Sequence, residues 1–280
     1  MDADARQAME IVRKADSDRY IATLYAPEDR RAALFALDAF DAEIARIRDL
    51  VSEPLPGEIR LQWWRDVLSD GLAEPAGHPI ATALRKAIAA HDLPRATFDA
   101  YLDARIFDLY DDPMPDRATL EGYCGETSSA LIQLGGLILD RGAASAHATA
   151  AGHAGCARAI ARMVALMPLH RARGQCFVPA EILAAAGLTR DDYVAGADAR
   201  AMETVTAAMI ALATEHLAAF HRAAGALPQA LRPAFLPLAT LPSTLARLSP
   251  NAWEKPASEP TQLRRHLLIL RRALRGWPHL

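Results

Sequence analysis

The chain has 280 residues and a formal net charge of −3; 51% of it is apolar, yet only 6% is aromatic. It is long enough to bury a substantial core, and Ala and Leu favour close helix–helix packing over strands, which want β-branched and aromatic residues. The charge balance gives no general basis for binding nucleic acid. Cys124, Cys156 and Cys176 are widely spaced and odd in number, so they form neither a zinc motif nor a disulfide framework.

Met1-Asp2-Ala3-Asp4-Ala5-Arg6 is acidic and lacks an apolar run, so neither a secretory signal nor a transit peptide is expected. The Ala-rich region 143–167 is interrupted by His147, His153, Arg158 and Arg162, and falls short of the roughly 18 apolar residues of a membrane span. A cytoplasmic location is expected, with room for peripheral contact at the inner face of a bacterial membrane, or the matrix side if mitochondrial.

Pro27 before Glu28-Asp29 opens the first clear helix, with acids near the positive end of its dipole. Ala33, Leu37, Phe40, Ile44, Ile47 and Val51 then recur at helical spacing as one buried stripe. Pro54-Leu55-Pro56-Gly57 is read as the end of that helix and Glu58 as the start of the next. Further helices are expected near 78–91, 94–109, 118–139, 145–167, 179–187 and 198–224, with loops at 111–115 and 141–142. No stretch alternates with period two, so the expectation is an all-α chain forming a single domain over 1–280. The segment 227–260 is rich in proline (Pro228, Pro233, Pro237, Pro242, Pro250, Pro256, Pro260) and reads as short helices docked on the body. In the last segment, 261–277, Leu263, Leu267, Leu270, Leu274 and Trp277 fall within roughly 80° on a helical wheel. Arg264, Arg265, Arg271, Arg272 and Arg275 occupy the other side. Two readings follow: a helix docked by its leucine face, or an amphipathic helix on an anionic membrane surface.

No Walker A, G-x-S-x-G, G-x-G-x-x-G or H-E-x-x-H motif is present. The informative stretches are Ala39-Phe40-Asp41-Ala42-Glu43-Ile44-Ala45-Arg46-Ile47-Arg48-Asp49 and Leu166-Met167-Pro168-Leu169-His170-Arg171-Ala172-Arg173-Gly174-Gln175-Cys176-Phe177-Val178-Pro179. The first resembles the A-F-C-R-x-x-D-D-x-x-D element of the squalene/phytoene synthase family. The second resembles its L-R-D-x-x-x-D helix followed by G-R-x-Y-L-P, and Gly155 falls on a family glycine. In this register the adjacent aspartates of the first element fall on Ala45 and Arg46, with only Asp49 kept. Those of the second fall on Leu166 and His170. Asp18-Arg19-Tyr20, Leu61-Gln62-Trp63-Trp64-Arg65, Phe107-Asp108-Leu109 and Leu120-Glu121-Gly122-Tyr123-Cys124 resemble further family elements. For Trp63, Trp64 and Tyr123, helix packing is the default role.

The resemblance implies an isoprenoid-synthase helical bundle around a central cavity. In that family two acid-bearing helices hold Mg²⁺ on a prenyl diphosphate, because Mg²⁺ prefers hard oxygen ligands. Leu166 offers no oxygen, His170 is a poor Mg²⁺ ligand, and Pro168 breaks the helix that should present both. Asp18 stands where a diphosphate would be repelled. Within the family, Ala39 to Glu53 and Pro56 to Trp64 resemble the branch of complex I (NADH dehydrogenase) assembly factors, which lie on the membrane. The expectation is therefore a protein without catalysis and without metal or other cofactor, assisting complex I assembly. Complex I subunits or intermediates, a prenyl or lipid ligand and the membrane surface are its expected partners. Tyr20, Tyr123, His170 and Arg173 are the expected cavity remnants, and His170 with Arg171 and Arg173, if cationic, would attract an anion. The alternatives are a prenyltransferase using Asp38, Asp41, Asp49 and Asp108 in an unusual Mg²⁺ site, and a carrier of a prenyl lipid.

Overall fold

The computed structural model describes residues 1–69, 77–255 and 260–277. Among these the secondary structure is helical, with no strand. Pro256 of the proline-rich segment lies outside the described residues.

Two helices that the spacing had not revealed begin the chain, Ala3–Ala15 and Ser17–Leu24, and both start on an aspartate side chain that caps a free backbone N–H. Helix Glu28–Ala45 follows, buries Phe35, Leu37 and Phe40, and stops at Ala45. The chain then tightens into a 3₁₀ turn, Ile47–Leu50, leaving Val51 only partly buried. The next helix spans Pro54–Leu68, so the prolines read as a terminator in fact start it. Proline suits the first turn because its missing N–H would be unpaired there anyway. Pro79–His91 and Arg95–Arg105 match the expected helices, the latter ending in a 3₁₀ turn, Ile106–Leu109.

Arg117–Cys124 runs through a π-helical turn, Gly125–Ser129, into Ala130–Leu139. That turn presses against Ala148–Ala165, where a Cβ on Gly155 would overlap the backbone of Ser129. Ala148–Ala165 then packs along Ala199–Ala224 through small residues that let the two backbones approach. One apolar cluster surrounds this pair. A second surrounds Glu28–Ala45, where Phe40 meets Trp64, Phe98 and Tyr101 at ring-centroid distances of 5.1–5.8 Å. Trp64 thus packs as expected, while its neighbour Trp63 is 38% exposed and lies against His78. The described part of the proline-rich segment forms short turns with Leu231, Phe235, Leu236 and Leu238 buried.

The terminal helix, Gln262–Arg275, corrects the docked-leucine reading. Leu263, Leu267, Leu270 and Leu274 are 72%, 56%, 40% and 72% exposed, while Arg265 and Ile269 are buried. Arg265 reaches Asp18 at 3.4 Å, and Arg232 donates to the Ala273 carbonyl at 3.1 Å. These two polar anchors fix the helix by the face the wheel had assigned to solvent. Gly276, at φ +66°, turns the chain so that Trp277 leaves the leucine side and packs against Phe220 at 5.4 Å.

The tight and open glycines give a test by opposite signs. Gly155→Ala is expected to destabilise by about 1–3 kcal/mol or more, since backbone must move. Gly122→Ala, with open space around its Cβ, is expected to stabilise by about 0.5–1 kcal/mol through helix propensity. Urea unfolding of both variants checks the pair.

Candidate functional site

A cavity of about 420 Å³ opens between the two apolar clusters. Its walls are set by where helices end. Asp16 caps Ser17–Leu24, and Arg19 follows one turn later on the same helix. Asp38, Asp41, Ala42 and Ala45 form one face of Glu28–Ala45, and Arg46, Arg48 and Asp49 follow its end. Arg105 and Asp108 close Arg95–Arg105 and its 3₁₀ extension, while Tyr123 comes from Arg117–Cys124. Arg158 and Arg162, then Leu166 and His170, line the opposite wall at steps of four residues. Val12, Leu131, Met163, Leu166 and Phe177 supply the apolar part.

Asp41 is the centre of the polar wall. Arg19 Nη1 donates to its Oδ2 at 2.5 Å and Arg105 Nη2 to its Oδ1 at 2.7 Å, with the Tyr101 hydroxyl also donating to Oδ1. Arg105 Nη1 continues the network to Asp108 at 3.0 Å, and the Tyr123 hydroxyl donates to Asp108 at 2.7 Å. Burial opposes ionisation of Asp41, but Arg19 and Arg105 outweigh it and hold the carboxyl well below the usual range. Asp38 differs. Burial pushes it up to about 6, with Arg19 at 3.4 Å offsetting only part of that cost while Asp16 and Asp41 add repulsion. Asp16 is held low, since Arg158 and Arg19 outweigh its burial.

Each carboxylate of the lining therefore has an arginine within ion-pair range: Arg158 for Asp16, Arg19 for Asp38 and Asp41, Arg105 for Asp108, and Arg173 for Asp49 at 2.6 Å. Among the described residues no group of three or more His, Cys, Asp and Glu is placed to hold a metal ion. Mg²⁺ needs several free oxygen ligands in an octahedral arrangement. This donor set, already engaged by arginines and opened to Ala45, Arg46, Leu166 and His170, does not fit it.

The four acids of the alternative reading, Asp38, Asp41, Asp49 and Asp108, do meet in this one cavity, as do Tyr123 and His170. Tyr20 does not line it; its ring lies 5.9 Å from Phe35 in the packing between helices. Arg173 reaches the cavity only through Asp49. The anion-attracting trio is also corrected. Burial, reinforced by Arg173 and Arg162, pushes His170 down to about 4, so it is neutral. Arg171 turns away to the carbonyls of Tyr193, Val194 and Trp253. Sequence reasoning missed Asp16, Arg19, Arg105, Arg158 and Arg162 as site residues. The available signal was Arg158 and Arg162 lying eight and four residues before Leu166 on the same helical face.

A bundle of helices, strandless among the described residues, whose ends converge on one polar-and-apolar cavity is the isoprenoid-synthase arrangement. The family model for squalene/phytoene synthase matches residues 12–266, and the chain belongs to that family. It is 32% identical over 248 residues to "NADH dehydrogenase (ubiquinone) complex I, assembly factor 6" of Bos taurus, covering 87% of this chain and 73% of that protein. It is 28% identical over 211 residues to presqualene diphosphate synthase of Rhodopseudomonas palustris, covering 72% of each chain. Squalene synthase HpnC of Alicyclobacillus acidocaldarius shares the fold, with a TM-score of 0.67 at 17% identity over 98% of this chain and 94% of that one.

The two central acids predict opposite mutational behaviour. A carboxyl raised from 3.8 to about 6 favours folding fully below its unfolded value, and that contribution is lost as pH rises through about 6. Asp38→Asn should therefore raise the melting temperature at pH 7 and lose that advantage below about pH 4. Asp41→Ala leaves Arg19 and Arg105 buried without their shared counterion and should cost about 3–5 kcal/mol. Thermal melts of both variants across that pH range check the signs.

Proposed function

We propose that this chain performs no prenyl condensation and assists assembly of the respiratory NADH dehydrogenase at a membrane surface. One observation carries this reading: the carboxylates of the cavity are engaged by arginines, and Ala45, Arg46, Leu166 and His170 stand where the family's acids are expected. A site in that state has no free oxygen cluster to draw pyrophosphate away through Mg²⁺. The similarity to the complex I assembly factor of Bos taurus supports the same direction. Exposed Leu55, Ile59 and Trp63, one turn apart on Pro54–Leu68, offer a surface of mixed polarity suited to a protein partner.

No helix among the described residues is long and apolar enough to cross a membrane. Membrane contact would instead come from Gln262–Arg275, whose exposed leucines are flanked by exposed Arg264, Arg271 and Arg275. An apolar stripe between cations suits anionic lipid headgroups.

The prenyltransferase reading keeps one point in its favour, because Asp38, Asp41, Asp49 and Asp108 share a cavity and a presqualene diphosphate synthase is among the similar proteins. Incubation with farnesyl diphosphate and Mg²⁺ separates the two. No pyrophosphate release is expected; release abolished by Asp41→Asn in a folded variant would overturn the non-catalytic reading. In a deletion strain, assembled complex I should fall, and unchanged levels would overturn the assembly role. Sedimentation with vesicles containing phosphatidylglycerol or cardiolipin should capture the protein. Leu267→Ser with Leu270→Ser should release it without lowering the melting temperature.

A further inference from the structure

Two histidines meet outside the cavity lining, across the packed pair of helices in the first apolar cluster. His153 sits on Ala148–Ala165 and His216 on Ala199–Ala224, and their Nδ1 atoms are 3.1 Å apart. His216 is buried and His153 half-buried, so solvent reaches the pair from the His153 side. Glu121, on Arg117–Cys124, lies with its Oε1 at 3.0 Å from His216 Nε2. Arg117 in turn donates to Glu121 at 2.6 Å and to Glu215 at 2.7 and 3.0 Å. Burial works against ionisation of Glu121, but the hydrogen bonds from Arg117 and His216 outweigh it and hold the carboxyl below its usual range.

An ionised carboxylate only accepts, so the proton of neutral His216 is on Nε2 and its Nδ1 carries a lone pair. That lone pair accepts from His153 Nδ1–H. A carboxylate on the far nitrogen of an imidazole fixes the tautomer and raises the basicity of the near one, which is how metal-ligating histidines are held. Zn–N bonds are about 2.0–2.1 Å. With the nitrogens kept 3.1 Å apart, an ion at that distance from both makes an angle of about 100°. Tetrahedral and tetragonal coordination both accommodate such an angle. Around the pair Glu121 and Glu215 offset Arg117 and Arg222.

We propose that His153 and His216 form a site for a borderline divalent transition metal, Zn²⁺ or Cu²⁺, bound through both Nδ1 atoms and completed by water. On binding, the proton of His153 Nδ1 passes to its Nε2, while Glu121 keeps His216 in the ligating tautomer. Two protein ligands are fewer than a closed structural zinc site supplies, so the ion exchanges and a chelator removes it. It ties Ala148–Ala165 to Ala199–Ala224 and stabilises their packing. Imidazole suits these ions and not Mg²⁺, and His153, His216 and Glu121 are not part of the cavity lining. The site therefore stands whether or not the chain condenses prenyl diphosphates.

Calorimetric titration of the untagged full chain, stripped with EDTA and dialysed, tests it with Zn²⁺, Cu²⁺ and Mg²⁺ as probes. Zn²⁺ and Cu²⁺ should each bind as one ion per chain, and Zn²⁺ should raise the melting temperature. His153→Ala should abolish both effects. Glu121→Gln should keep the stoichiometry and weaken binding about tenfold or more, as expected for loss of the carboxylate behind a ligating imidazole; it also serves as the second variant if His153→Ala does not fold. Electron paramagnetic resonance of the Cu²⁺-loaded protein should show splitting from two nitrogens, falling to one or none in His153→Ala. Three results would each overturn the proposal: no stoichiometric binding of either transition metal, a folded His153→Ala or Glu121→Gln protein with unchanged affinity, or a copper spectrum with sulfur ligands in place of two nitrogens.

Discussion

Asp41 holds together stretches of chain that lie far apart in sequence. Arg19 comes from a helix that follows the N-terminal one, Arg105 from the end of a helix some sixty residues later, and both close on its two oxygens. A buried carboxylate between two buried guanidinium groups satisfies charge that none of the three could carry alone out of water. Through Arg105 the same network reaches Asp108 and Tyr123, so the polar wall of the cavity behaves as one unit. Asp38 shows the limit of that unit. It shares Arg19 with Asp41 at the longer distance, and its carboxyl is pushed up instead of down.

Seen from this network, the substitutions at the two acid elements are mutually consistent. Arginine at 46 and neutral side chains at 45, 166 and 170 remove negative charge on both walls, while Arg158 and Arg162 add positive charge to one of them. The acids that remain act as partners for arginines. The cavity keeps its apolar portion beside a polar end in which each acid has an arginine within ion-pair range.

The C-terminal helix shows how a sequence pattern can be read correctly in period and wrongly in direction. The wheel separates leucines from arginines, but it does not say which face meets the protein. Asp18 and the main-chain carbonyls facing Arg232 decide that, because a buried acid left without Arg265 would be costly. The leucines are consequently presented outward.

The sequence by itself determined the helical class, the family and the loss of acids at Ala45, Arg46, Leu166 and His170, because periodicity and motif spacing are local properties carried along the chain. It also located most long helices, although not Ala3–Ala15 or the start at Pro54, where capping chemistry outweighs pattern. Only the tertiary structure decided that Asp38, Asp41, Asp49 and Asp108 share a cavity, that Tyr20 lies outside it and that Arg171 faces away. It alone paired each acid of the cavity with its arginine. Within the cavity such pairings join residues as many as 142 positions apart, as in Asp16 with Arg158. Whether a charge is neutralised or available depends on those distances, which spacing along one helix does not encode.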